Sequence, residues 1–451
     1  MTRSCLLAVA LIFGTALAGF AWGNDVLIYD GQVTCFDAAE NPYDGTLYVA
    51  FQSTEHFKVF IYESEDGGMT WAPRWQINNV PRLPRLLVEY SEGSVHLFFV
   101  YDERMSTVIL PVSGSETHTA MLRDVGVYFI DEEEKGADPV GFDVAHLFEE
   151  PHVWVLANYH HRTDGAVVSY SLDGGKSWEI LFGEHHPEEA NVDLSVARSP
   201  STVYLVSISG GDTPEENEIR LTLLNTHGGW TDWGSSDRAD VRLTDNGYRD
   251  FDPHIAVSSD PSFPAVWVSA AYAPHGDAHL DMVSSVSGRF DDREVRTIAN
   301  HPMVSEYWGE MRAWPLAGNR WMNLLWIEDT GSFVRIRRAW ASGDDPGTWH
   351  FDDSTINSHN AMGWPISLAP RLVYSPRYPD QHLSLPGPGI VYAGFGRYIA
   401  GSTYSVGPQP GQTGDVAQAG TGADYYFGNG LYFDAFWIEP PPAGGSGPAG
   451  P

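Results

Sequence analysis

The chain has 451 residues and a formal net charge of −33, which results from 59 acidic and 26 basic side chains. DNA, RNA and anionic membrane surfaces require a positive field, so this balance argues against all three as partners. Only three of the basic residues are lysines, at positions 58, 135 and 176, and the remaining ones are arginines.

The first 23 residues have the three consecutive regions of an export signal. Arg3 supplies the positive charge, residues 6–18 form an almost unbroken apolar run, and small residues offer cleavage after Ala18 or near residues 21–23. The run is too short for a comfortable membrane span. Removal of the signal leaves Cys35 as the single cysteine, so no internal disulfide can form. We predict a secreted or periplasmic protein whose partner is an extracellular glycan or a cell-surface protein.

Seven short runs rich in aliphatic and aromatic residues recur along the chain. They begin 48, 58, 50, 63, 56 and 68 residues apart, at residues 47–51, 95–101, 153–159, 203–207, 266–272, 322–327 and 390–395. Each is preceded by another strand-like run and followed by a third and usually a fourth. Four strands in about 40–60 residues are typical of a propeller blade. The repeat predicts an all-β protein, a β-propeller with seven blades, and six blades are the alternative.

Two eight-residue turns share one pattern. Residues 64–71 read Ser-Glu-Asp-Gly-Gly-Met-Thr-Trp and residues 171–178 read Ser-Leu-Asp-Gly-Gly-Lys-Ser-Trp, while residues 342–349 keep the Ser, Asp and Trp spacing. In such a turn the Asp and Ser oxygens can accept bonds from amides, and the glycines allow positive φ. The motif resembles the Asp boxes, or bacterial neuraminidase repeats, of the sialidase-like superfamily, and the resemblance extends over residues 25–439.

The resemblance implies that the boxes join the third and fourth strands of a blade, on the face opposite the binding site. It makes three aspartates structural: Asp66, Asp173 and Asp344. We therefore divide the chain into a signal at residues 1–23, a propeller at residues 24–439 and a disordered Pro/Gly-rich tail at residues 440–451. Residues 425–438 are strand-like, and residues 25–29 are their candidate partner in closing the ring.

One face of a propeller is formed by the starts of the first strands and the loops after the second strands. The candidate catalytic residues on this face are His161, His186, Asp252 and Tyr307, and the candidate substrate-binding residues are Arg82, Arg249 and Arg312. Residues 81–84, Pro-Arg-Leu-Pro, resemble the arginine motif of sialidases, in which three arginines bind the sialic-acid carboxylate. The expected function of these arginines is an anion clamp for an acidic glycan. Ion pairs between blades are the alternative.

The same histidines and tyrosine resemble the residues of polysaccharide lyases on seven-bladed scaffolds. In that family a neutral His or Tyr removes the proton beside a uronate carboxylate. The Tyr–Glu nucleophile pair of sialidases is not found here. The open hypotheses are a glycoside hydrolase or lyase, a non-catalytic propeller that binds a glycan or a protein, and a structural module of a surface assembly. No cofactor is predicted; residues 212–218 are either a structural calcium loop or a solvated loop.

Overall fold

The computed structural model describes part of the chain. The described residues are 21–22, 26–31, 33–53, 58–80, 83, 85–101, 104–113, 121–125, 139–160, 165–183, 194–209, 218–225, 238–258, 265–273, 278–285, 287–300, 304–313, 321–330, 334–342, 345–351, 370–380, 385–395 and 429–437. They contain 29 strands, numbered β1–β29 in chain order, and no helix.

Six four-stranded antiparallel sheets follow one another along the chain, each with its strands in sequence order. Sheet 1 contains β3 (Val33–Glu40), β4 (Leu47–Ser53), β5 (Lys58–Ser64) and β6 (Ala72–Ile77). Sheet 2 contains β7 (Leu86–Ser91), β8 (Ser94–Tyr101), β9 (Arg104–Pro111) and β10 (Met121–Val125). Sheet 3 contains β11 (Pro139–Leu147), β12 (Glu150–His160), β13 (Gly165–Ser171) and β14 (Glu179–Gly183).

The second half of the chain repeats the arrangement. Sheet 4 contains β15 (Leu194–Arg198), β16 (Thr202–Ser209), β17 (Glu218–Asn225) and β18 (Arg238–Arg242). Sheet 5 contains β19 (Arg249–Val257), β20 (Val266–Ala273), β21 (His279–Ser285) and β22 (Glu294–Ala299). Sheet 6 contains β23 (Ser305–Ala313), β24 (Trp321–Asp329), β25 (Val334–Ser342) and β26 (Asp345–Phe351).

Sheet 7 joins the two ends of the chain. It contains β27 (Arg371–Asp380), β28 (Leu385–Phe395) and β29 (Asn429–Trp437), and both β1 (Ala21–Trp22) and β2 (Val26–Asp30) pair with β29. The register places Val26 opposite Phe433, which confirms the predicted pairing of residues 25–29 with the strand-like segment at residues 425–438. Strand β1 falls within the predicted signal, whose residues 1–20 lie outside the described part.

The first strand of each sheet lines a central channel. These inner strands pack in chain order, β27 packs against β3, and His146 Nε2 lies 3.1 Å from the carbonyl oxygen of Tyr90 between β11 and β7. The prediction of an all-β propeller is confirmed. The apolar runs that revealed the repeat are the second strands, and β4 is buried at all seven positions because its sheet lies between two neighbours.

The two glycine-rich turns are closed by the same hydrogen bonds. Asp173 Oδ1 accepts a bond from the amide of Ser177 at 2.8 Å, and its Oδ2 accepts one from the hydroxyl of that residue at 2.7 Å. The amide of Gly175 donates to the hydroxyl of Ser171 at 2.9 Å. The turn at residues 64–71 has equivalent bonds. Both turns join third and fourth strands, at the end of the ring opposite the starts of the inner strands.

The tryptophan of each turn contacts the preceding sheet. The ring of Trp71 lies 5.7 Å from that of Phe433, and the ring of Trp178 lies 6.3 Å from that of Phe98. Both tryptophans are half-buried rather than fully covered. Gly68 has a φ of 99°, and a Cβ there would stand 1.9 Å from the Phe433 ring, so only glycine fits.

Asp173→Ala is expected to lower the free energy of unfolding by about 1–3 kcal/mol, because turn amides and hydroxyls lose a charged acceptor. Burial alone would raise the pKa of Asp173, but the bonds from Ser177 and Ser171 outweigh it and the pKa is lowered. This contribution is therefore lost as the pH falls through the lowered pKa. Urea unfolding checks the value, and Glu65→Ala, at an exposed position of the other turn, is the control. Equal stability of the two variants would contradict a structural role of Asp173.

Candidate functional site

Hydrogen bonds between inner strands define one level of the channel. Asp37 Oδ2 accepts a bond from the amide of Val88 at 2.7 Å, and Asp143 Oδ2 accepts one from the amide of Val196 at 2.9 Å. Glu310 receives a backbone hydrogen bond from Leu372 in the same way. Each bond joins one inner strand to the next, and the residues at the equivalent positions of the other inner strands line the same cavity. We call these residues the channel belt: Asp37, Leu87, Asp143, Ser195, His254, Glu310 and Arg371.

The next level lies two residues farther along each inner strand. Because side chains alternate along a strand, residues two apart point to the same side. This level consists of small or apolar residues apart from Glu89 and Arg312: Ala39, Ala145, Ala197, Ala256 and Val373. Glu89 and Arg312 therefore stand among side chains too short to reach the middle of the channel.

Two cavities occupy the channel. The upper one, of about 140 Å³, is lined by the whole channel belt together with Arg85. The lower one, of about 170 Å³, is lined by alanines of sheets 3–6 together with Phe148. Glu89 and Arg312 line both cavities and so stand where the two meet.

Two half-buried arginines, Arg312 of sheet 6 and Arg371 of sheet 7, form ion pairs with carboxylates of neighbouring sheets. Arg371 Nε lies 2.8 Å from Asp37 Oδ1, and its Nη1 lies 3.8 Å from Glu310 Oε2. Arg312 Nη2 lies 3.3 Å from Glu40 Oε2 and 3.9 Å from Glu89 Oε2. Burial would lower the pKa of both arginines, but the carboxylates around them outweigh burial and raise it. Both guanidinium groups therefore keep their charge.

Two carboxyl groups of the channel titrate near neutrality. Burial raises the pKa of Glu310 to about 7, against the opposing effect of Arg371. Burial raises the pKa of Glu89 to about 8, against the opposing effect of Arg312. Carboxyl groups with such pKa values are suited to donate and accept protons at neutral pH.

The pKa of His254, the histidine of the channel belt, is shifted in the opposite direction, downwards. Burial, reinforced by Arg371 and Arg85, lowers the pKa of His254 to about 3. Burial also lowers the pKa of His146, in β11 of sheet 3, to about 3. The ring of His146 stacks on that of Trp154 at 4.3 Å. Both imidazoles are neutral throughout the physiological range.

The structure places two predicted site residues near this belt. Arg312 lies in the channel, where it also donates to the carbonyl oxygens of Leu372 at 3.0 Å and Ala38 at 3.4 Å. Asp252 is half-buried in a bulge of β19 with a φ of 52°, and it raises the pKa of Arg371. The hydrogen bonds of Arg312 to Leu372 and Ala38 show that its guanidinium group is already bonded to acceptors of the protein itself.

The other five predicted residues cannot be joined to the belt. Arg249 begins β19 and Tyr307 lies in β23, but their side chains are outside the described part. Arg82, His161 and His186 lie outside it altogether. The anion clamp and the histidine base therefore stay predictions.

Sequence reasoning missed the principal residues of the channel. Glu89, Glu310, Arg371 and Asp37 were not assigned a role from the sequence. One sequence pattern could have revealed the channel residues: nearly every first strand has a polar residue at the same position. Counting that position requires the strand register, which the sequence alone does not define.

No group of three or more His, Cys, Asp or Glu side chains that could hold a metal occurs among the described residues. Of the predicted calcium loop, only Glu218 belongs to that part of the chain, and it forms an ion pair with Arg242 at 2.9 Å. Within the same residues, no helix is long and apolar enough to cross a membrane.

No model of a known protein family matches the chain, and no curated protein matches it in sequence. Solved structures match it at low similarity. An ulvan lyase is 11% identical over 84% of this chain and 92% of its own, with a TM-score of 0.48. YCF48 bound to D1 peptide is 12% identical over 82% and 92%, with a TM-score of 0.45. The GH93 alpha-L-arabinofuranosidase of Fusarium graminearum is 14% identical over 83% and 93%, with a TM-score of 0.39. The activity of this chain therefore has to be inferred from its own residues.

Proposed function

We propose that this protein is a secreted Asp-box propeller that acts on carbohydrate, with Glu310 as the proton-transferring residue of its central channel. The proposal is carried by the burial, the position and the pKa of Glu310. As a whole residue it is 8% exposed, it lines the upper cavity, and burial raises its pKa to about 7 against the opposing effect of Arg371. Buried carboxyl groups with near-neutral pKa values cluster at functional sites.

Both reactions considered for the chain require such a group. A glycosidase protonates the leaving oxygen with a carboxylic acid of raised pKa. A lyase needs a base for the proton beside the uronate carboxylate and an acid for the leaving group. Glu310 in its two protonation states can serve either reaction, and Glu89 at the lower edge of the same cavity is a second group with this property.

The test is a turnover screen on neutral, acidic and amine-bearing oligosaccharides, followed by Glu310→Gln on any substrate found. The variant is expected to lower kcat/KM by about 100-fold or more, because the amide keeps the shape and cannot transfer the proton. The inflection near pH 7 in the rate profile should disappear with it. Glu294→Gln is the matched control, since Glu294 is an exposed residue of β22 paired with Arg296 at 2.6 Å. Unchanged turnover in Glu310→Gln would contradict the proposal.

A non-catalytic propeller that binds a glycan or a cell-surface protein is the second candidate. It is favoured by the bonds of Arg312 to the backbone carbonyls of two other sheets, because a structural tie would have this form. The same screen separates the two candidates. Binding of a glycan by the wild-type protein without any product would favour the second.

A further inference from the structure

The upper cavity is lined by more acidic than basic side chains. Its four carboxyl groups belong to Asp37, Glu89, Asp143 and Glu310, and its three guanidinium groups belong to Arg85, Arg312 and Arg371. Glu40, just outside the lining, is the nearest carboxylate to Arg312 and adds to the acidic side. The fully ionised cavity would therefore be negative.

Pairing the groups by distance shows which carboxyl groups are in excess. Arg371 is matched by Asp37 at 2.8 Å, whereas its distance to Glu310 is 3.8 Å. Arg312 is matched by Glu40 at 3.3 Å, whereas its distance to Glu89 is 3.9 Å. Glu310 and Glu89 therefore remain as the secondary partners of arginines that other carboxylates already neutralise.

The remaining carboxyl group of the lining is satisfied by the protein. Asp143 accepts bonds from the amide of Val196 at 2.9 Å and from the hydroxyl of Ser195 at 2.7 Å. In contrast, Oε2 of Glu310 is buried at the cavity and has no hydrogen-bond partner among the described residues. A buried oxygen of this kind is costly unless a ligand or water satisfies it.

The spacing of the acidic groups favours an organic cation over a metal ion. Among the described residues, no three carboxylate, imidazole or thiolate side chains come close enough together to coordinate a metal. An ammonium group needs only separate hydrogen-bond acceptors, since it donates three bonds in different directions. A volume of about 140 Å³ is below the roughly 300–1,000 Å³ of typical ligand sites, so the cavity holds one end of a ligand.

We propose that the upper cavity binds the protonated amine of a ligand between Glu310 and Glu89. Resting on the proposed function, the ligand is a sugar that carries a free amine. This reverses the polarity expected of an anion clamp, because Arg312 and Arg371 are already neutralised. The acidic exterior, with a net charge of −33, would attract such a cation at low salt.

Amine binding should release protons. At about pH 6 both carboxyl groups are mostly protonated, and an ammonium group beside them lowers their pKa. The groups that face Glu310 are Asp37, Arg312 and Arg371. The groups that face Glu89 are Asp37, Glu40, Asp143, Arg312 and His146. An anionic ligand would have the opposite effect and cause proton uptake.

The experiment is calorimetric titration of the full-length protein in buffers of different ionisation enthalpy. Ethylammonium serves as the probe for proton release, because an alkylamine stays protonated well above neutral pH. Glucosamine oligosaccharides are compared at about pH 6 with N-acetylglucosamine and glucuronate oligosaccharides of equal length. The glucosamine series is expected to bind at least about tenfold more tightly than the other two, with release of protons. Glu310→Gln and Glu89→Gln should each lose about tenfold of this affinity, and Glu294→Gln should lose none.

Each alternative result has a distinct meaning. Tighter binding of glucuronate with proton uptake, or no binding of any amine, would overturn the amine site. Binding of ethylammonium with proton release, without preference for glucosamine over N-acetylglucosamine, would keep the amine site and reject the sugar. That last result would count against the proposed function and not against the polarity of the cavity.

Discussion

Arg312→Ala is expected to lower the free energy of unfolding by about 3–5 kcal/mol, because it leaves a buried carboxylate without its counter-charge. Glu40 is completely buried, and Arg312 is its nearest cation at 3.3 Å. The same substitution removes the bonds to the carbonyls of Ala38 and Leu372, which hold sheets 6, 7 and 1 together around the channel. Urea unfolding followed by tryptophan fluorescence measures the loss.

A double variant separates the charge from the packing. Arg312→Met combined with Glu40→Leu removes both members of the pair and keeps the volume, so most of the loss should be recovered. Arg296→Ala is the control, because Arg296 is exposed in β22 and its pair with Glu294 is worth about 0–1 kcal/mol. A loss below about 1 kcal/mol in Arg312→Ala would show that the contacts of Arg312 with Glu40, Ala38 and Leu372 do not stabilise the propeller.

Stability is expected to be highest between about pH 4.5 and 6.5 and to fall on both sides. The alkaline side depends on three carboxyl groups: Glu89, Glu310 and Asp250. Burial raises the pKa of Glu89 to about 8 and those of Glu310 and Asp250 to about 7. Their protonated forms are favoured in the folded state, so stability is lost as the pH rises from their ordinary values through these pKa values. The loss between about pH 6.5 and 8 should be about 3 kcal/mol.

The loss of stability at low pH depends on histidines whose side chains are buried. Burial lowers the pKa of His146 and His254 to about 3 and that of His96 to about 4. These rings stay neutral in the folded protein and bind protons on unfolding below their ordinary pKa of 6.5. Down to about pH 4.5 this loss is offset by the three carboxyl groups. Below that the offset shrinks, and a net loss of about 2 kcal/mol is expected by pH 3.

Urea unfolding at a series of pH values tests both sides. Glu89→Gln should flatten the alkaline side, and His146→Gln should flatten the acid side. Glu294→Gln and His152→Gln, at exposed positions, should change neither. A maximum at pH 8 or above would contradict the raised pKa values of the channel carboxyl groups.

The repeat and the turns could be predicted because their signals are local. A second strand buried between two neighbouring sheets has to be apolar along its whole length, so β4 and its equivalents stand out in the sequence. The Ser-x-Asp-Gly-Gly turns form their hydrogen bonds within four residues. Sequence patterns of this range identify the structure directly.

The channel could not be predicted in the same way. Glu89 is the only charged residue of Leu-Leu-Val-Glu-Tyr-Ser, and nothing in this run indicates that its side chain lines a channel. The bulge between Phe251 and His254 shifts the register of β19, so counting along the strand misplaces the face of its polar residues. Arg312 has the sequence signal of an anion-binding residue, and nothing local reveals Glu40 as its partner.

The sequence by itself determined the all-β repeat, the closure by the N-terminal strand and the form of the two turns, since all three depend on apolar periodicity or on neighbouring residues. Only the tertiary structure decided which charges meet in the channel. Arg312 bonds to residues 60 and 274 positions away, and Asp37 to one 51 positions away. Such long-range partners are determined by the fold, which brings the inner strands together around the channel. The pKa values near 7 and 8 likewise arise from burial inside that ring, because burial is a property of the assembled sheets.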